Sequence, residues 1–286
     1  MTIYNAVIHT MTEQGTIPHG FLEVENGKIT CVQSGDPDTV TEGDLDAKGS
    51  LLLPGFIDAH THLGILEDGL DFEGDDCNEC TDPFTPHLRA IDGVNPLDRC
   101  FSEALAAGVT TVMTTPGSAN PCGGTMLILK TAGNCVDDMK LTFGGIKFAL
   151  GENPKSVYHG RDEMPFTRMA TAAIIREGLY KAKRYLEQWE AVEEAEDQPD
   201  YDAKCEALLP LLRREYKAHF HCHRADDMMT AIRIAKEFDL DYVIIHGTEA
   251  YLAPDIMAQE QARVVTGPNL LDRCKPELRN MSFSGP

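Results

Sequence analysis

Basic residues are scarce in this sequence. Lys and Arg number 25 against 46 Asp and Glu, a formal net charge of -21 over 286 residues. A field of that sign repels polyanions, which excludes nucleic acid as an expected partner. Long apolar runs are missing too, and none approaches the roughly 20 residues needed to cross a bilayer. The opening "MTIYNAVIHTM" lacks the basic and apolar regions of a secretory leader. The expectation is a globular protein of the cytoplasm, free of membrane contact. Nine cysteines, scattered and odd in number, fit reduced thiols better than a disulfide framework. "CNEC", Cys77 to Cys80, has the spacing of a metal knuckle, but no second Cys pair or close Cys/His pair completes it, so it reads as a loop with two free thiols. There is no internal repeat and no low-complexity linker.

What is present begins as β-structure. "TIYNAVIHT" is followed by "GFLEVENGKITCVQSG", in which Asn26-Gly27 offers the two positive-φ positions of a type I′ hairpin. Residues 1–53 are too few strands to bury both faces and read as part of a β-sandwich. From there the character changes, and short aliphatic runs alternate with helical stretches, as in parallel strands joined by crossover helices. Residues 54–286 therefore read as an α/β barrel. Its strands are expected at Phe56 to Leu63, Thr110 to Thr115, Met126 to Lys130, Ile146 to Leu150, Ala218 to His223, Tyr242 to His246 and Arg263 to Thr266. A long helical interval separates the fourth from the fifth, and its acidic tail "EAVEEAEDQPD" reads as a solvated helix end.

The chemistry is concentrated in histidines. In "PGFIDAHTHLG" His60 and His62 stand two apart, so on a strand both face the barrel interior and two imidazoles can share one ion. A pair of hydrogen-bonded core histidines would give the same pattern. The balance shifts with "KAHFHCHRADD", where His219, His221 and His223 alternate, and with "DYVIIH", an apolar strand ending in His246. Histidines at the ends of the first, fifth and sixth strands match the way a barrel assembles a site from strand C-termini. Neutral imidazoles around one point favour Zn²⁺ or a similar transition metal, completed by a carboxylate.

In this order, "LLLPGFIDAHTHLG", "IKFALGENPK", "HCHRADD" and "IIHGTE" resemble the metal-dependent amidohydrolase superfamily, in its imidazolonepropionase-related branch, over essentially the whole chain. The resemblance implies a β-sandwich beside a metal-binding (β/α)8 barrel of the TIM type. It implies hydrolysis of a carbon–nitrogen bond in a small-molecule substrate by a metal-activated hydroxide. Carried over by position, His60 and His62 are the first-strand ligands, His221 the fifth-strand ligand and His246 the sixth-strand ligand. The fourth-strand ligand in the superfamily is a glutamate or a carboxylated lysine, here Glu152 or Lys147. Glu152 is the expected one, because its carboxylate needs no modification, although Glu152 and Asn153 would equally cap a turn before Pro154.

The resemblance also implies an aspartate at the end of an eighth strand, as ligand and proton shuttle, and a segment that completes the sandwich. Neither is found before Pro286. Asp255, at a helix start, and Asp272, just after the seventh strand, do not match that motif. The expectation is thus a barrel lacking its last strand, with impaired turnover and exposed edges that favour homo-oligomers. A non-catalytic scaffold is the competing reading, and among enzymes a deaminase of a small heterocycle is the alternative to amide hydrolysis. Arg161, Arg168 and Arg224 are candidates to meet a substrate carboxylate, each balanced by ordinary ion pairing.

Overall fold

The computed structural model describes residues 1–194, 198–268 and 276–280. The chain divides into two compact units, Met1–Phe56 and Ile57–Pro286. In the first, β1 (Thr2–His9), β2 (Thr16–Glu25) and β3 (Lys28–Ser34) form an antiparallel meander, and β4 (Leu45–Asp46) and β5 (Leu51–Leu52) pair parallel to β1. Asn26 and Gly27 join β2 to β3 with φ of 51° and 72°, the left-handed pair a tight type I′ turn requires. Ala6, Ile8 and Ile17 make a small core under Val32, Ala47 and Leu52.

Among the described residues the second unit is organised by seven strands: β6 (Phe56–Thr61), β7 (Val109–Thr114), β8 (Cys122–Lys130), β9 (Lys140–Ala149), β10 (Ala218–Cys222), β11 (Tyr242–His246) and β12 (Val264–Thr266). They lie in the sheet in reverse sequence order, β12 through β6. Each of the seven expected strands is present, within a residue or two at most ends, but β8 and β9 are longer than expected. The direction of one is a correction. β9, β10, β11 and β12 pair parallel, whereas β8 runs antiparallel to both β7 and β9. The reason is connection length. A parallel crossover needs a dozen or more residues, and the links into and out of β8 are shorter, the second carrying only the one-turn helix α2 (Val136–Met139).

The helices are α1 (Arg99–Ala106), then α2, α3 (Glu152–His159), α4 (Arg168–Glu190), α5 (Ala203–Leu212), α6 (Ala225–Glu237) and α7 (Pro254–Gln259). α4 stops short of the acidic tail, of which residues 195–197 lie outside the described residues. Strand alternation sets the two faces of the sheet. Ile146, Phe148, Ala218, Phe220 and Cys222 pack outward into one core with α4, α5 and α6, and Phe148 stacks on Phe220 with ring centroids 5.1 Å apart. The alternate positions Lys147, His219 and His221 belong to the other face and are buried. That face is curled. In a flat sheet β6 and β11, five spacings apart in the strand order, would be separated by about 24 Å, yet the rings of His60 and His246 have centroids 5.3 Å apart. The seven strands therefore form a nearly closed barrel with a polar interior.

Candidate metal centre

Five histidines from three strands meet in that interior. Ring centroids separate His60 from His62 by 5.4 Å, His221 from His246 by 4.6 Å, His221 from His223 by 4.8 Å and His223 from His246 by 4.6 Å. The ligand-capable atoms of His221, His223 and His246 all lie within 4.8 Å of one another. The structure thus brings His60, His62, His221 and His246 together, and adds His223.

Local backbone aims these rings. His60 and His62 alternate onto one side as β6 ends. His246 closes β11 with φ of 73°, a left-handed conformation uncommon for a residue with a Cβ, and Gly247 follows at 53°. The turn lets the His246 ring lie across the others while its Nδ1–H donates to the Gly267 carbonyl at 2.6 Å. His62 Nδ1–H donates likewise to the Thr115 carbonyl at 2.7 Å. Both bonds fix the tautomer that puts the ring's lone pair on Nε2, as outer partners of metal-binding imidazoles commonly do. His221 Nδ1 meets Ser118 Oγ at 2.9 Å and His223 Nδ1 meets Thr248 Oγ1 at 2.7 Å.

Electrostatics keeps the rings ready as ligands. Burial, assisted by the Lys147 charge, lowers His62 to about 4 and His60 further. The same causes lower His219 to about 4. Such rings are neutral at pH 7, so no proton competes for the nitrogen. His60 Nδ1 is a buried polar atom with no hydrogen-bond partner among the described residues. An unmet buried polar group costs about 1–3 kcal/mol, a penalty that a coordinated cation removes. On these grounds the residues fit a divalent ion.

Glu152, the carboxylate expected at the fourth strand, lies three residues past the strand end. β9 ends at Ala149, and Gly151 turns the chain with φ of 86°, so Glu152 becomes the first residue of α3, where a negative side chain suits the helix dipole. Its backbone N–H donates to Glu277 Oε2 at 2.9 Å and its own Oε2 accepts from the Glu277 N–H at 3.1 Å. The neighbour facing the rings is Asn153, whose Nδ2 lies 3.3 Å from His221 Nε2. Lys147 is the fourth-strand group in the interior. It is fully buried, and its Nζ donates to the Pro116 carbonyl at 2.9 Å and to Thr115 Oγ1 at 3.3 Å. Desolvation lowers its pKa to about 7, against a weaker opposing pull from Cys77. A neutral amine at that pH is the form that combines with carbon dioxide.

Arg168 is committed to Asp227 at 2.9 and 3.1 Å, and Arg224 grips Asp226 in a two-pronged pair at 2.8 and 2.6 Å. Arg161 is exposed and makes no side-chain hydrogen bond or ion pair among the described residues. Asp255 opens α7, and Asp272 lies outside the described residues. Cys77 and Cys80 are free thiols. Sequence reasoning missed Glu277, a buried carboxylate whose Oε1 is 4.0 Å from His221 Nε2 and 3.8 Å from His223 Nε2. Nothing local in "KPELRN" marks that one glutamate as interior. Ser118 and Asn153 were equally invisible, being ordinary loop and helix-start residues until the fold sets them against His221.

Comparison with known proteins is consistent with this geometry. A solved amidohydrolase from Thermotoga maritima MSB8 superposes with a TM-score of 0.93 at 42% identity, over 98% of this chain and 73% of that one. Amidohydrolase tasK from Hapsidospora irregularis is 30% identical over 264 residues, covering 83% of this chain and 27% of tasK. A 5-methylthioadenosine/S-adenosylhomocysteine deaminase from Bacillus thuringiensis (strain Al Hakam) is 45% identical over 65 residues, 22% of this chain and 15% of that protein. The chain thus spans about a quarter of the length of tasK and less of the deaminase. The model of the amidohydrolase family matches residues 51–264, three quarters of the sequence, and the chain belongs to that family.

Proposed function

We infer that this chain is the metal-holding part of a hydrolase acting on carbon–nitrogen bonds of small molecules. The observation that carries the reading is the convergence of His60 on His246, from strands five places apart in the sheet order, at a ring separation of 5.3 Å, with His221 of the adjacent strand β10 4.6 Å from His246. His60, His62, His221 and His246 would hold a divalent ion, zinc by the chemistry of the donor set. Lys147, rather than Glu152, is the fourth-strand group, as a carboxylated amine supplying the anion that offsets metal charge. A bound divalent ion supplies Lewis acidity and brings the pKa of water near 7.

The protein's own part is orientation and exclusion. The Thr115 and Gly267 carbonyls hold two rings in one tautomer, Ser118 and Asn153 position His221, and the burial of Lys147 and His221 keeps bulk water from the floor of the site. The motif order supports the imidazolonepropionase-related branch, and with it seven strands of a (β/α)8-type barrel with an antiparallel third strand, the first unit contributing to a β-sandwich. The match to the deaminase supports deamination of a small heterocycle as the second reading. Purified protein supplied with Zn²⁺ is to be tested on N-acyl amino acids, cyclic amides and amino-substituted heterocycles. Metal-dependent release of amine and carboxylate supports amide hydrolysis, and ammonia from the heterocycles supports deamination. Metal-loaded protein that turns over neither class, in any preparation, would leave a binding scaffold as the better account.

A further inference from the structure

The link between β7 and β8, residues 115–121, touches side chains of three strands of the metal centre from one short stretch. Its first two carbonyls are consecutive. Thr115 accepts from His62 Nδ1–H at 2.7 Å, and Pro116 accepts from Lys147 Nζ at 2.9 Å. Ser118 Oγ meets His221 Nδ1 at 2.9 Å. The link carries no charge and belongs to no helix or strand, so its conformation has to be held from outside. We propose that Asn120, anchored by Tyr158, is a positioning residue for the metal centre, fixing Thr115–Ser118 so that His62, Lys147 and His221 keep their directions. This rests on the metal-binding reading above and adds the part of the chain that keeps the site in shape.

Asn120 is 2% exposed, and its amide is fully used. Nδ2 donates to the Glu79 carbonyl at 2.7 Å and to Thr85 Oγ1 at 3.1 Å, and Oδ1 accepts from the Tyr158 hydroxyl at 2.7 Å. A carbonyl can only accept, so the Glu79 contact fixes which end of the amide is which. Tyr158 is fully buried and lies on α3, so its bond ties the link to the helix that follows β9. On the other side the link runs in step with residues 77–79. Gly117 N–H donates to the Cys77 carbonyl at 2.7 Å, Ala119 N–H to Asn78 Oδ1 at 3.0 Å, and Asn120 to Glu79. A Cβ on Gly117 would lie 2.3 Å from Asn78 Oδ1, so the two stretches have no slack between them. Packing alone would not call for these groups, because apolar residues of the same shape hold neighbouring elements about as well as a buried hydrogen-bonded pair. What a satisfied buried amide adds is one defined arrangement. Loss of the Tyr158 hydroxyl leaves Asn120 Oδ1 buried without its donor. The amide can relieve that only by turning, which releases Glu79 and shifts Ser118, two residues away.

The test uses the full chain and three substitutions. Tyr158→Phe removes the hydroxyl and keeps the ring, and Asn120→Asp keeps an acceptor for Tyr158 while removing both donors. Tyr185→Phe is the matched control, deleting a buried hydroxyl bonded to Glu206 in the core on the outer side of the sheet. Zinc affinity is titrated against a competing chelator, Co²⁺ is read by its visible absorption, and the histidine ring nitrogens are followed by NMR in metal-free protein. Outer partners of a metal typically contribute about 10–100-fold to its affinity. Tyr158→Phe and Asn120→Asp should therefore bind zinc at least about tenfold more weakly, with an altered Co²⁺ spectrum and a second tautomer at His62, while Tyr185→Phe matches wild type in all three. Wild-type affinity, spectrum and tautomer in folded Tyr158→Phe would overturn the proposal. An equal loss in Tyr185→Phe would overturn it too, tracing the effect to general loosening. Should Asn120→Asp fail to fold by circular dichroism, Tyr158→Phe decides alone. Wild-type protein that takes up no ion would overturn the metal reading, and the His62 tautomer in metal-free protein would still decide the positioning.

Discussion

Replacing Lys147 with methionine should change not only metal binding but also the pH dependence of folding. The side chain is fully buried, and desolvation lowers its pKa from 10.5 to about 7. In unfolded chain the amine keeps its proton until pH rises to about 10.5, while in metal-free folded protein it has lost it near 7. Between those limits the unfolded state binds more protons, so stability rises with pH across the window and is flat below it. The gap spans about 3.5 pH units at about 1.4 kcal/mol each, an upper bound of about 5 kcal/mol. Relaxation and water entry reduce it, and a climb of at least about 2 kcal/mol is expected. Methionine has similar length and no charge, so Lys147→Met should be the more stable protein near pH 7 and lose that advantage toward pH 10. Urea unfolding of both proteins, free of metal and carbon dioxide, at about pH 7 and about pH 9.5 measures the difference. His62 and His219, lowered to about 4, do not titrate in that range. A difference between the two proteins that does not vary with pH would refute the argument, and would mean that water reaches the amine.

Two further outcomes concern the scaffold. Asp202 caps α5 by accepting from the Lys204 and Cys205 N–H groups at 3.0 Å and pairs with Lys181 at 2.6 Å, bonds that lower its pKa from 3.8 to about 2. Asp202→Ala should cost about 1 kcal/mol at neutral pH, and the wild-type advantage should vanish as pH falls from about 4 through 2. Equal melting temperatures at neutral pH would contradict the cap. Phe220 is fully buried and stacked on Phe148, so Phe220→Ala should cost about 3–5 kcal/mol in urea unfolding. A loss under about 1 kcal/mol would mean that the strand–helix core is not packed as described.

Much of the site was legible because strand periodicity is strict. Residues two apart share a face, so His60 with His62 and His219 with His221 could be placed inside before any coordinates. The same rule, applied to Ile146–Leu150, puts Lys147 inward with them. Glu152 lies beyond the turn at Gly151, where strand alternation no longer says which way a side chain faces. The direction of β8 was also readable, from links too short for a crossover, but apolar content alone does not carry direction. Glu277 was beyond reach. Its burial goes with a contact to Glu152 across 125 positions, and no local pattern encodes a partner at that separation.

The central claim, that the interior histidines hold one or more divalent ions, is tested most directly by crystals of zinc-loaded protein and an anomalous difference map at the zinc edge. The account predicts a peak inside the barrel, with His60, His62, His221 and His246 nitrogens at about 2.0–2.1 Å from zinc and Lys147 density extended by a carboxylate. No peak among these rings, or a peak bound only by surface carboxylates, would contradict it.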